Sequence, residues 1–180
     1  MYNKYTFIVS KPSIFGGVGS GHYGHAGRTG EVGGSSLGGG GLPRFHKTAS
    51  PLFINRLNNS IPEEYKGFVS EYSPEEYRRT RTKLFLSPTK KSGFGLSPDG
   101  NIVSVFSEKG SGEGRKAMVN AIKNGGNKLD AFDGFLPTYY KRFGFKEVGR
   151  AKFDRKLAPA NWDYKEFDEP DVVFMERIKK

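Results

Sequence analysis

The stretch Asn101-Ile-Val-Ser-Val-Phe-Ser107-Glu-Lys-Gly-Ser-Gly-Glu-Gly114-Arg-Lys-Ala-Met118 decides the fold. Its first part carries apolar side chains at Ile102, Val103, Val105 and Phe106, so both faces of the strand read as buried. Three glycines then alternate at Gly110, Gly112 and Gly114. Beyond them Ala117, Met118, Ala121 and Ile122 form one apolar helical stripe, a core-facing pattern. Gly125-Gly126 ends that helix. Upstream, Asp99-Gly100 reads as a hairpin turn between 93–96 and 101–107. Downstream, Lys128-Leu-Asp-Ala-Phe-Asp133 reads as a strand parallel to 101–107, reached through the helical crossover.

Working outward, Ser73 is a good N-cap, Pro74 suits a first helical turn, and Glu75 and Glu76 favour its positive end. Ile61-Pro62-Glu63-Glu64 repeats that grammar without the polar cap, giving a second short helix. Lys83-Leu-Phe-Leu-Ser87 reads as a strand or a helix-to-strand connector. A short helix over 135–143, strands at 146–153 and 171–178, and a long loop marked by Pro159, Trp162 and Pro170 complete the chain. The expected architecture is α/β (α+β), a mixed central sheet of about six strands with flanking helices.

Of the 25 glycines among 180 residues, 13 fall between Gly16 and Gly41. That stretch has few large apolar side chains to offset the entropy of ordering it. Residues 1–47 therefore read as a flexible glycine-rich segment with a short strand at 2–9, and 48–180 as the folded domain. With no cysteine in the chain, disulfides and thiol nucleophiles are excluded. The three histidines, His22, His25 and His46, lie in or beside the glycine-rich segment. They read as solvated tether residues, with no metal site. No apolar run approaches the roughly 20 residues needed to span a bilayer, and the start lacks a signal-peptide apolar core. The expectation is a soluble cytoplasmic product with no membrane partner. The net charge of +10 is interleaved with acids along the chain. It reads as a solvated surface, and nucleic acid is not the expected partner.

A glycine-rich turn at a helix N-terminus describes an anion site, because the first helical amides lack internal partners and the dipole adds positive charge. Lys109, Arg115 and Lys116 add full charges. The stretch does not match the P-loop pattern. It matches the short dinucleotide fingerprint at Gly112-x-Gly114-x-x-Ala117, but the preceding strand belongs to a hairpin and too few βαβ units follow for a doubly wound sheet.

In these residues the chain resembles the GNAT superfamily of N-acetyltransferases. Lys109-Gly-Ser-Gly112-Glu-Gly114 aligns with the family's Arg/Gln-x-x-Gly-x-Gly/Ala turn, with Lys in place of Arg/Gln. Tyr139-Tyr140-Lys-Arg-Phe-Gly144-Phe145 matches its Tyr-x-x-x-Gly-Phe signature. The likeness covers roughly 60–180 and implies direct acyl transfer from acyl-CoA, acetyl-CoA above all, to an amine. It implies that the amides from Gly110 to Gly114, with Lys109, Ser111, Gly112 and Arg115, hold the pyrophosphate. The backbone at Phe106-Ser107 would hold the pantetheine arm, and Tyr140 would protonate the departing thiolate. Glu108, Asp130 and Asp133 are candidates for the base that deprotonates the amine. The region 48–180 has neither His nor Cys to serve a Ser–His or Cys–His nucleophile. Glu113 would repel a pyrophosphate unless its side chain points away.

The glycine-rich segment resembles tethers in structural and head-morphogenesis proteins of tailed bacteriophages. That likeness implies a phage-encoded product in the bacterial host cytoplasm or the virion. It leaves an alternative open: a catalytically inactive GNAT-like module with phage structural proteins as partners.

Overall fold

The computed structural model describes residues 41–62, 72–156, 158 and 162–178. The strand expected at 2–9, the glycine-rich segment with His22 and His25, and most of the helix expected from Ile61 lie outside the described residues. In chain order the elements are β1 (His46–Thr48), α1 (Ser50–Ser60), α2 (Pro74–Arg79), β2 (Lys83–Leu86), β3 (Ser92–Leu96) and β4 (Ile102–Ser107). There follow α3 (Gly114–Lys123), β5 (Lys128–Phe132), α4 (Phe135–Lys141), β6 (Lys146–Ala151), α5 (Tyr164–Phe167) and β7 (Val172–Glu176).

The architecture is mixed α+β, and its seven described strands form two sheets. One is antiparallel in the order β1-β2-β3-β4, the other antiparallel in the order β5-β7-β6. They meet through the expected parallel pairing of β4 with β5, but only as one bridge, Asn101 to Lys128. At that point the amides of Asn127 and Lys128 donate to the Gly100 carbonyl at 2.9 and 3.2 Å. What joins the halves is burial. Phe85, Phe94, Ile102 and Val105 from one sheet share a core with Leu129, Ala131, Val173 and Met175 from the other. Each large apolar side chain fully removed from water contributes about 1.5–3 kcal/mol, well above what a single bridge adds.

The faces sort by register. Leu84, Leu86 and Phe106 pack against Phe53 and Leu57 of α1 and Tyr77 of α2. Phe85 and Val105 face Ala117, Met118 and Ala121 of α3. All six residues of β4 are buried, as its two-sided apolar pattern requires. Gly93 allows the close approach beneath it, since a Cβ there would lie 2.6 Å from the Phe85 carbonyl oxygen and 2.7 Å from the Phe106 ring.

The hairpin contains a bulge. Gly93 pairs with Phe106 but Gly95 with Val103, so β4 carries one extra residue there. Ser104 takes a left-handed φ of 50°, and Tyr77 donates its hydroxyl hydrogen to Ser104 Oγ at 2.8 Å. Bulges bend a strand and end regular pairing beside functional sites.

Three helices end in the same way. In α3, Gly126 N donates to Ala121 O and Gly125 N to Ile122 O. In α4, Phe145 N donates to Tyr140 O and Gly144 N to Lys141 O. In α2, Thr82 N donates to Tyr77 O and Arg81 N to Arg78 O. This crossed pair of bonds places the residue after the helix in the left-handed region, where glycine is favoured. Gly125 and Gly144 occupy it with φ of 104° and 90°, but α2 has Arg81 there, at φ 53°. The α2 start follows the sequence: Ser73 Oγ accepts from Glu76 N while Glu76 Oε2 accepts from Ser73 N.

Packing begins before residue 48. Phe45 is buried, and Asn120 on α3 bonds both the Phe45 amide and the Pro43 carbonyl.

Candidate functional site

Beyond the bridge at Asn101, β4 has no ladder on its β5 side, and β5 has none on its β4 side. Among the described residues no ladder joins these two strand edges, with Val103 to Ser107 on one and Asp130 and Ala131 on the other. Backbone amides and carbonyls in such an edge need partners. An extended ligand with its own amides can supply them, as an added strand does.

The glycine turn follows Ser107, at the end of β4 away from the bridge. Ser111 N donates to Glu108 O at 3.1 Å, and the Ser107 and Ser111 hydroxyls lie 3.0 Å apart. Gly110 and Gly112 have φ of 77° and 68°, and a Cβ built on either meets nothing within 4 Å. The loop therefore has an open face that side chains would fill. Helix α3 starts at Gly114 with no side-chain cap. Its first amides, at Gly114, Arg115 and Lys116, have no intrahelical acceptor. Arg115 is exposed beside them. Lys109 sits on the turn, also exposed, and has a partner of its own.

Glu113 points away from the mouth. It is 6% exposed and faces the turn between β2 and β3. Thr89 Oγ1 donates to both of its carboxylate oxygens at 3.0 Å, and Ser92 Oγ donates to Oε2 at 2.8 Å. Burial alone would raise its pKa. Hydrogen bonds from Ser92, Ser87 and Thr89 and the charge of Lys116 outweigh this and hold it below the usual range. Glu113→Ala should cost about 1–3 kcal/mol by stranding those hydroxyls, read by thermal denaturation. Glu113→Gln keeps an acceptor and removes a negative charge near the helix start. It should tighten inorganic pyrophosphate binding by roughly two- to fivefold, read by calorimetry.

Tyr140 and Asp130 are the next two sequence candidates. Tyr140 lies on α4, is fully buried, and its hydroxyl has no hydrogen-bond partner. Buried hydroxyls are rarely left so. Its pKa lies well above the ordinary tyrosine value, because of burial first, then Tyr139 and the negative charge of Asp130. The neighbouring Tyr139 is also raised by burial, against the lowering effect of Arg142 and Arg115. Tyr139 and Tyr140 pack in the same core as Ala117 and Met118 of α3.

Asp130 sits in the middle of β5, opposite Phe174 of β7. Burial pushes its carboxyl up to about 8, opposed only by a bond from its own amide. Among the described residues no cation pairs with it. A carboxyl that titrates near neutrality beside a cleft is matched to accepting a proton.

The other two sequence candidates are placed differently. Glu108 follows β4 at the glycine turn and pairs with Lys91 at 3.0 Å. Asp133 follows β5 and pairs with Arg150, whose hydrogen bond is the main reason its pKa is lowered. That makes it a weaker proton acceptor than Asp130. Phe106 and Ser107 form the end of β4 beside the slot, with the Phe106 ring turned into the α1 core.

On the face carrying Asp130, Phe132 meets Trp162 at 4.9 Å between centroids, and Trp162 meets Phe153 at 5.1 Å, both pairs tilted. The long loop therefore covers this end of the second sheet with aromatic rings. Sequence reasoning found the loop but not its contacts.

No family model matches the chain, and neither does any curated protein. Among solved structures it is similar to a ribosomal-protein-alanine N-acetyltransferase from Brucella melitensis, with 16% identity over 77% of this chain and 99% of that one, at a TM-score of 0.46. An acetyltransferase from Streptococcus agalactiae matches with 13% identity over 76% and 99%, at 0.44. An acetyltransferase of the GNAT family from Staphylococcus aureus matches with 13% identity over 74% and 97%, at 0.41.

Proposed function

We propose that the chain is an acyl-CoA-dependent N-acyltransferase of GNAT type, acetyl-CoA being the co-substrate and an amine the acceptor. The observation that carries this reading is the slot between β4 and β5. It is held at one end by a single bridge, and at the other β4 runs into a glycine turn and a helix start. A thioester on CoA supplies an activated acyl group and a thiolate leaving group.

The chain's own residues divide the remaining work. The edge of β4 up to Phe106 and Ser107 offers amides and carbonyls to the two amide units of a pantetheine arm. The turn from Lys109 through Gly110, Ser111 and Gly112 to Gly114 offers amides to a pyrophosphate, with Arg115 adding charge. Asp130 accepts the proton of an incoming ammonium group, so that the amine lone pair is free to attack. Tyr140 Oη, already protonated, donates to the sulfur as it leaves. Hydrogen exchange tests the binding half. Amides of Gly110 to Lys116 should exchange more slowly when CoA is added. Unchanged exchange at saturating CoA overturns it.

The alternative role, a non-catalytic module of a phage virion or head-assembly complex, draws its support from the glycine-rich segment; Glu113, the other feature that favoured it, bonds Thr89 and Ser92 instead of facing the turn's open side. Co-purification with virions tests it, and absence from purified particles ends it.

A further inference from the structure

Four of the six residues in Arg78-Arg79-Thr80-Arg81-Thr82-Lys83 are cations, and none has a part in the acyl-transfer site. Short Lys/Arg-rich runs of this kind recur in polyanion-binding patches. Strand register places this run at the end of the sheet remote from the glycine turn. Lys83 pairs with Leu96, and Leu96 with Ile102, the first residue of β4. The glycine turn follows Ser107, the last.

At that remote end a groove of about 420 Å³ is lined by Lys47, Arg78, Arg81 and Lys83 with the hydroxyl-bearing Ser50 and Thr82. No carboxylate lines it among the described residues. Glu75 ion-pairs with Arg78, while Lys47, Arg81 and Lys83 have no ion pair among the described residues.

The backbone adds an independent observation. Arg81 holds the left-handed position that Gly125 and Gly144 hold at the ends of α3 and α4. The same pair of bonds closes all three turns. A glycine would serve the turn better, so the arginine is explained by its side chain, which lines the groove. Strain of this kind collects at functional positions.

We propose that this groove binds the phosphate backbone of a nucleic acid. Lys and Arg offer donors and no acceptors, which suits phosphate oxygens and gives little base discrimination. Tyr77, the aromatic ring of the groove, is buried, and its hydroxyl is committed to Ser104. Among the described residues that leaves no ring for base stacking, which favours a duplex over a single strand. The inference does not depend on acyl transfer.

The test is fluorescence anisotropy of the full chain with a short labelled duplex DNA across a salt series. Three neutralised phosphates give a slope of log K on log salt of about −3. Arg81→Gly and Lys83→Gln should each flatten that slope by about 1 and weaken binding several-fold. Arg81→Gly should also raise the melting temperature, because glycine fits that turn. Lys146→Gln, an exposed cation on β6, should change neither slope nor affinity. No binding at low salt overturns the proposal. So does binding that Arg81→Gly and Lys83→Gln leave unchanged, or a glutamate polymer that displaces the DNA at equal charge.

Discussion

Tyr140→Phe should stabilise the protein while lowering kcat about a hundredfold. The two effects come from one atom. Tyr140 Oη is buried and has no hydrogen-bond partner, and a hydroxyl in that state costs about 1–3 kcal/mol. Phenylalanine fills the same space among Phe145, Leu129 and Met118 without that cost, so the melting temperature rises. In the proposed reaction the same hydroxyl donates the proton to the departing sulfur. General acids of this type contribute roughly 10²–10⁴-fold, so turnover with any amine that supports it should fall while the KM for acetyl-CoA stays near its original value. A purely structural tyrosine would give the stabilisation without the loss of kcat. Denaturation and steady-state kinetics on the one variant separate the cases.

Asp130→Asn should lower kcat by roughly 10²-fold and remove the rising limb of the pH–rate profile. With its carboxyl pushed up to about 8, Asp130 accepts a proton only as pH climbs toward that value. The wild-type rate should therefore increase through neutrality and level off above about 8. The variant should show no such rise.

The same group fixes a stability trend. An aspartate in the unfolded chain titrates near 3.9, so between about pH 4 and 8 the folded state holds a proton that the unfolded state has lost. Stability must fall as pH rises through that window. The advantage of the protonated form is fully present below about 4 and gone above about 8. Asp130→Asn should abolish this slope and be more stable than wild type at pH 8. Melting temperatures at several pH values read it directly. Asp133, held below the usual carboxylate range by Arg150, should give no such signature when changed to Asn.

The local grammar of the chain was legible. Asp99-Gly100 closes the β3–β4 hairpin, Ser73-Pro74 opens α2, and the alternating glycines stand between β4 and α3, because each depends on neighbours in sequence. Helix α1 was not legible. Its sequence, Ser-Pro-Leu-Phe-Ile-Asn-Arg-Leu-Asn-Asn-Ser, has no acidic residue in its first turn and no side-chain cap. It forms because Phe53 and Leu57 are buried against Phe106 and Leu84, a tertiary cause. Strand β1 is three residues long and exists by pairing with β2.

The direction of Glu113 was equally hidden. It is set by Thr89 and Ser92, more than twenty positions away in the chain. The cations, interleaved with acids along the chain, did not reveal the groove, since Lys47 meets Lys83 and Arg81 only through the β1–β2 pairing. Asp130 stood beside Glu108 and Asp133 as one carboxylate of three. Glu108 pairs with Lys91 and Asp133 with Arg150, whereas Asp130 has no ion pair among the described residues, a difference that sequence does not report.

The central claim is that an acyl-CoA lies in the β4–β5 slot with its pyrophosphate on the glycine turn. Calorimetric titration of acetyl-CoA into the full chain tests it most directly, with Gly112→Ala alongside. Gly112 has a φ of 68° and an open face where a Cβ would stand, so alanine strains the turn and intrudes on the anion. The expected result is one-to-one binding that Gly112→Ala weakens about tenfold or more, about 1.4 kcal/mol. No heat of binding at millimolar acetyl-CoA, or equal affinity in the two proteins, would contradict it.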